Sequence, residues 1–170
     1  MNISTRLAQP ADIPDIIEVM IHSIEERREL PVSYINEMKA KYQTLFDFIT
    51  DENGTHYVIQ VDAKTIGITC IKPPVDEDIA DNYYEFHGIS LHPDYNQQEI
   101  SLKAMDIIFE TVRNLGKTAM VTWVLESNSN SVKLYEKCGF TTDGVSCTIT
   151  EKLPDSGLSD MNCIRMRKNL

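Results

Sequence analysis

Apolar residues recur along the chain with two periods, two and three-to-four, and the changeovers mark its elements. Ile3, Thr5 and Leu7 alternate with Ser4 and Arg6, which predicts a first strand. Gln9-Pro10-Ala11-Asp12 reads as a helix entry, with proline and an acidic residue near the first turn. Ile13, Ile16, Ile17, Met20 and Ile24 then follow at helical spacing, and the helix runs out in Glu25-Glu26-Arg27-Arg28-Glu29, read as a solvated face. Pro31 separates it from a second helix over Ser33 to Phe48, carrying Tyr34, Met38, Tyr42, Leu45 and Phe46. Turn residues Asp51 to Gly54 lead into two strands, Thr55 to Val61 and Thr65 to Ile71. Asp62-Ala63-Lys64 joins them as a hairpin.

Pro73-Pro74 and an acidic loop (Asp76, Glu77, Asp78, Asp81) precede the strand Tyr83 to Leu91, which stops at His92-Pro93-Asp94 because proline cannot donate to a ladder. The loop Tyr95 to Glu99 opens a helix with Ile100, Ala104, Ile107, Ile108 and Val112 on one face, ended by Gly116. Ala119 to Leu125 is nearly unbroken apolar, as expected of a strand covered on both faces. Asn128 opens a short helix that finishes at Gly139-Phe140. Two β-like segments, Gly144 to Lys152 and Met161 to Arg167, flank a polar loop from Pro154 to Asp160. The order β-α-α-β-β-β-α-β-α-β-β predicts an α/β fold, a mixed sheet covered by helices. With no repeat or linker, residues 1–170 read as one domain.

The net charge of −10 argues against a nucleic-acid partner, which needs Lys/Arg stripes, and mildly favours cationic ones. The four cysteines (Cys70, Cys138, Cys147, Cys163) lack CxxC spacing and sit mostly in apolar runs, so they read as reduced core residues. No metal is expected. The first residues show no apolar leader and no run is long enough to span a membrane, so a cytoplasmic protein without a membrane partner is expected.

Two stretches carry chemistry. One is Gly88-Ile89-Ser90-Leu91-His92-Pro93-Asp94-Tyr95, a strand and turn leading to a helix whose first N–H groups face the turn, a general anion-binding device. The other is Asn128-x-x-Ser131-x-x-x-Tyr135-Glu136-Lys137-Cys138-Gly139-Phe140. Together, and in the order of elements over almost the whole chain, they resemble the GNAT superfamily of acyl-CoA-dependent N-acetyltransferases, the second motif closely. The resemblance implies acetyl-CoA as co-substrate, bound by Ile89, Ser90 and Leu91 on the strand, by Asn96, Gln97, Gln98, Glu99, Ile100 and Ser101 at the loop and helix start, and by Asn128 and Tyr135. It further implies Tyr135 as general acid towards the CoA sulfur, a small-molecule or peptide amine as acceptor, and a homodimer through the C-terminal strands as a common assembly.

The family loop has an arginine or glutamine and glycines where this chain has Asn96, Glu99 and Ser101. Two readings of Glu99 are open: its carboxylate intrudes on the diphosphate, or it swings outward to Lys103 one turn on. The first would favour a weak or inactive GNAT-fold binding module instead of an enzyme. Asn128 reads equally as a pantetheine ligand or as a helix N-cap. Glu85, whose position resembles that of the glutamate base of some members, reads as general base with a pKa raised by burial, or as a solvated edge carboxylate. His87 is the alternative base. Trp123 reads as a lining residue of the acceptor pocket or as plain packing, and the acidic loop Asp76 to Asp81 as an attractor of a cationic amine or as a hydrated loop. No serine or cysteine sits in a nucleophile elbow, so direct attack by the amine is expected.

Overall fold

The computed structural model describes residues 1–27, 30–43, 54–95, 98–153 and 157–170, with backbone alone at residues 98, 151–153 and 157–159. Strands β1 (Ile3–Leu7), β2 (Thr55–Val61), β3 (Lys64–Lys72), β4 (Tyr83–Leu91), β5 (Ala119–Leu125), β6 (Thr141–Leu153) and β7 (Gly157–Asn169) form one sheet in the order β1-β2-β3-β4-β5-β7-β6. Neighbours are antiparallel except β4 and β5. Helices α1 (Ile13–Glu25), α2 (Val32–Gln43), α3 (Gln98–Asn114) and α4 (Ser129–Lys137) complete the expected order. None of the described helices is long and apolar enough to cross a membrane.

The two faces of the sheet are covered differently, as the alternation of side chains requires. On one face Ile16 of α1 packs on Val58 and Ile68, and α2 lies against α1. On the other face Ile100 and Ala104 of α3 meet Ile59, Val61, Ile66 and Leu91. Further along α3, Met105, Ile108, Phe109 and Val112 meet Phe86, Met120, Val124, Tyr135 and Phe140. The β2–β3 turn is tighter than Asp62-Ala63-Lys64: Lys64 already pairs with Val61, and Asp62 and Ala63 both take positive φ, the mirror-image turn that suits a twisted hairpin.

The final hairpin corrects the expected polar loop. β6 begins directly after Phe140, and Leu153 pairs with Gly157, so pairing runs almost to the tip. β6 is the edge strand, and residues 141–150 are exposed throughout, so pairing there needs no apolar alternation. The sequence-predicted extension of the second helix to Phe48 and the turn residues Asp51 to Asn53 lie outside the described residues.

Two carboxylates of the acidic loop, Asp76 and Asp78, are engaged by a cation of the chain itself. Arg165 on β7, 2% exposed, donates to Asp78 (2.7 Å to Oδ1), Asp76 (3.2 Å) and Asp143 (2.9 Å). Trp123 Nε1–H donates to Asp76 at 3.0 Å, and the guanidinium lies 5.6 Å from the Trp123 ring centre. The hydrogen bond to Asp78 raises the Arg165 pKa against the opposing effect of burial. The loop between β3 and β4 is thus tied across β5 to β7.

β3 approaches β4 closely only because Gly67 has no side chain. A Cβ there would sit 2.5 Å from Leu91 Cδ2 and 2.7 Å from the Ser90 carbonyl oxygen, which belongs to the backbone and cannot rotate away. Gly67→Ala is expected to destabilise by about 2 kcal/mol and lower Tm by about 6 °C; an unchanged melting curve would refute the close approach.

Candidate active site

The site begins where two strands part. β4 and β5 pair over Tyr83↔Ala119, Tyr84↔Met120 and Glu85↔Val121, and then diverge, β4 keeping only β3 and β5 only β7. The local cause is a bulge in β4. Ile71 faces Phe86 while Thr69 faces Ile89, which leaves one extra residue on β4 at His87-Gly88. Gly88 takes φ +91, a conformation that suits glycine, and its carbonyl accepts from Thr69 Oγ1 at 2.7 Å. Thr122 Oγ1, donating to the Phe86 carbonyl at 2.8 Å, is the last tie before the strands open.

Tyr135 fills the apex of this opening. Its ring stands edge-on to Phe86 at 5.8 Å, and its hydroxyl would lie 3.5 Å from a Cβ placed on Gly88. Burial pushes the phenol up to about 12, against hydrogen bonds with Ser131 and Thr122 that pull it down. It is therefore a neutral donor at physiological pH.

A groove of about 490 Å³ runs between the end of α1, the end of β4, the start of α3 and α4, with Leu134, the neighbour of Tyr135, in its lining. Ile89, Ser90 and Leu91 line one wall, and Ser101, Asn128 and Ser131 also border it. Asn128 serves as cap and lining together: its Oδ1 accepts from the Ser131 N–H at 3.3 Å and its Nδ2 donates to Ser131 Oγ at 2.8 Å. Ile100 buries its side chain in the core, so only its backbone N–H can face a ligand. Asn96 and Gln97 lie outside the described residues, and of Gln98 only the backbone is described.

Glu99 takes the outward orientation. It accepts from Lys103 Nζ at 2.8 Å, its pKa is lowered by that bond, and it does not line the groove. Although the chain is acidic, the described residues of the groove include three cations, Arg27, Lys133 and Lys137, against the carboxylate of Glu26. Sequence reasoning passed over Arg27 as part of a solvated run and gave Lys133 no role. The spacing of Lys133 and Lys137 at i and i+4, on one face of α4, was the available signal.

Glu85 lies on the sheet face opposite Phe86, and the opening joins the two faces. It is 6% exposed, not solvated, with Oε1 2.8 Å from His87 Nε2. Its Oε2 lacks a hydrogen-bond partner of normal geometry. Burial pushes its pKa up, as expected from sequence, but the hydrogen bond and charge of His87, with Lys72 and the backbone at Val75, outweigh it and the net shift is downward. Tyr135 and Glu85 thus reach the opening from opposite faces, one as a neutral acid and the other as a carboxylate.

Cys70 and Cys138 are buried, and burial raises both thiols to about 11. Cys163 is buried too, but Cys147 is exposed on the edge strand, contrary to the expectation of a core residue.

Residues 20–140 match the family model described as "Acetyltransferase (GNAT) family". The chain belongs to the GNAT acetyltransferase family. In sequence this GNAT chain is 27% identical over 93 residues to the probable N-acetyltransferase camello of Xenopus tropicalis; the match takes in 55% of this chain and 41% of that relative. The chain therefore spans about two fifths of the length of the curated relatives it matches. In fold it is similar to the PaiA N-acetyltransferase of Thermoplasma acidophilum in complex with coenzyme A (TM-score 0.71, 21% identity, 100% of both chains). It is similar also to yncA of Salmonella typhimurium with its cofactor acetyl-CoA (TM-score 0.64, 18% identity, 99% and 94% of the two chains). These likenesses show a GNAT fold along the whole chain.

The lowered pKa of Glu85 sets a sign. Its charged form is favoured in the folded state, so its stabilising contribution is present above the ordinary value of 4.5 and is lost as pH falls through the folded-state value. The Tm gap between the wild type and Glu85→Gln should therefore close as pH falls from about 6 to about 3. A gap that stays constant over that range would show that the carboxylate is not favoured by folding.

Proposed function

We propose that this GNAT chain transfers an acetyl group from acetyl-CoA to a primary amine of a small molecule or peptide, by direct attack in a ternary complex. The observation that carries the reading is the parting of β4 from β5 with a buried, neutral phenol at its apex. Beyond Glu85 the β5-side edge of β4 has no ladder partner among the described residues. Backbone groups of Ile89, Ser90 and Leu91 on that edge are available to the amides of an extended pantetheine arm, in the manner of an added strand. The N-terminus of α3 and the cations Arg27, Lys133 and Lys137 suit the donor's phosphates.

The residues divide the proton work. Glu85 holds the incoming ammonium and accepts its proton, directly or through water, with His87 as its partner. The amine nitrogen then attacks the thioester carbonyl carbon, and the C–S bond breaks as the new C–N bond is kept. Tyr135 gives its proton to the departing thiolate and is reprotonated, through water, by the second proton that the new amide nitrogen sheds, while Glu85 releases the first to solvent. Thiols held near 11 offer no thiolate at Cys70 or Cys138, which supports attack without a covalent enzyme intermediate. With Glu99 turned to Lys103, no carboxylate of that residue opposes the diphosphate.

Calorimetry is expected to give micromolar acetyl-CoA binding, and no binding in the millimolar range would sink the proposal. For Tyr135→Phe, thiol release in the presence of a responsive amine should fall by about 100-fold while acetyl-CoA affinity stays within about twofold. Full turnover in that variant would remove Tyr135 from the reaction.

A further inference from the structure

Four histidines occur in the chain, and two of them meet outside the groove. Glu18 and His22 stand four residues apart on α1, so they share a face. His92 follows β4 directly, its backbone anchored by donation from its N–H to the Ile66 carbonyl at 2.8 Å. The His22 and His92 rings lie 4.9 Å apart at 67°, and His92 Nε2 is 4.0 Å from Glu18 Oε1. One ligand atom from each of the three residues lies within 4.8 Å of the others.

We propose that Glu18, His22 and His92 bind a divalent transition-metal ion of the zinc class, bridging α1 and the end of β4. Two imidazoles and one carboxylate suit borderline ions such as Zn²⁺ or Co²⁺, whereas Mg²⁺ and Ca²⁺ prefer oxygen throughout. Ligand atoms around tetrahedral zinc stand about 3.4 Å apart, so the cluster needs to contract by less than about 1.5 Å. The Glu18 side chain, 62% exposed, is free to make that movement. Its exposure also leaves the remaining coordination position to water.

Each imidazole has a neighbour that orients it, a carboxylate at His22 and a backbone N–H at His92. His22 Nδ1 lies 3.4 Å from Glu25 Oε2, and Glu25 is itself paired with Lys39. His92 Nδ1 accepts from the Asp94 N–H at 3.3 Å, with Asp94 Oδ2 3.7 Å away. At His22 a proton on Nδ1, facing Glu25, leaves the opposite nitrogen's lone pair to the metal, the arrangement that fixes ligand histidines in metal sites generally. At His92 the accepting Nδ1 leaves the ring's proton on Nε2, so coordination through Nε2 moves that proton to Nδ1 and turns it to Asp94 Oδ2 in place of the N–H. Ser23 on α1, Glu26 and Arg27 just past its end, and Leu91 and Pro93 beside His92 line the groove, so the ion would brace one of its walls.

The site uses none of the side chains assigned to acetyl transfer, and it is tested with the metal alone. Zinc chloride titrated into the tag-free chain is expected to bind one ion per chain in the micromolar range. Cobalt(II) should give visible bands of low-symmetry coordination, and magnesium chloride no heat. His22→Ala and His92→Ala should each weaken zinc binding by at least about 100-fold, and Glu25→Gln, which removes no ligand, by about tenfold. Cys147→Ser, which removes the one exposed thiol among the described cysteines, should change nothing. No zinc binding at about 1 mM, or binding that survives the double His22→Ala/His92→Ala variant, would overturn the assignment.

Discussion

A buried strand whose hydrogen-bonding edge has no neighbour is costly, because each orphaned backbone group has lost its water without gaining a partner. This fold holds such an edge open by construction. The extra residue at His87-Gly88, pinned by Thr69, turns β4 away, while β7 claims the far side of β5 and keeps it from following. Gly67 lets β3 press against the end of β4 from behind. The resulting wedge exposes main-chain donors and acceptors in a setting where an extended amide-bearing ligand is the natural replacement for a missing strand.

Electrostatics divides the molecule in a way that its net charge conceals. The excess of carboxylates is partly consumed internally, where Asp76, Asp78 and Asp143 surround Arg165, while the groove wall collects Arg27, Lys133 and Lys137. Local placement therefore decides what the surface attracts, and a polyanion can be held by a protein that would repel it at long range. Burial acts with opposite consequence on the two groups flanking the wedge. It holds Tyr135 protonated, whereas at Glu85 the adjacent imidazole overrides it.

Much of the fold was legible because its signals are local. The β-forming residues of Tyr83 to Leu91, the apolar run of Ala119 to Leu125 and the cap at Asn128 each specify an element without reference to the rest of the chain. The final hairpin was misjudged because an exposed edge strand needs no apolar alternation. At the site, Tyr135 and Asn128 stood out through a spaced motif. The bulge depends on register between β3 and β4, which no single segment encodes. The pKa of Glu85 likewise depends on His87 and Lys72 coming together in space, so sequence supplied the burial effect but not the opposing effects that exceed it. Arg165 shows the same limit, since its carboxylate partners lie as far as 89 residues away along the chain.

That long reach constrains the order of assembly. β6 touches the sheet only through β7, so the segment translated first must wait for the one translated after it before it can be incorporated. Until residues 157–169 arrive, β5 has a bare flank and Asp76, Asp78 and Asp143 lack the guanidinium that compensates them. Insertion of β7 satisfies both needs in one event, so closure of the sheet and neutralisation of the acidic loop become a single cooperative step.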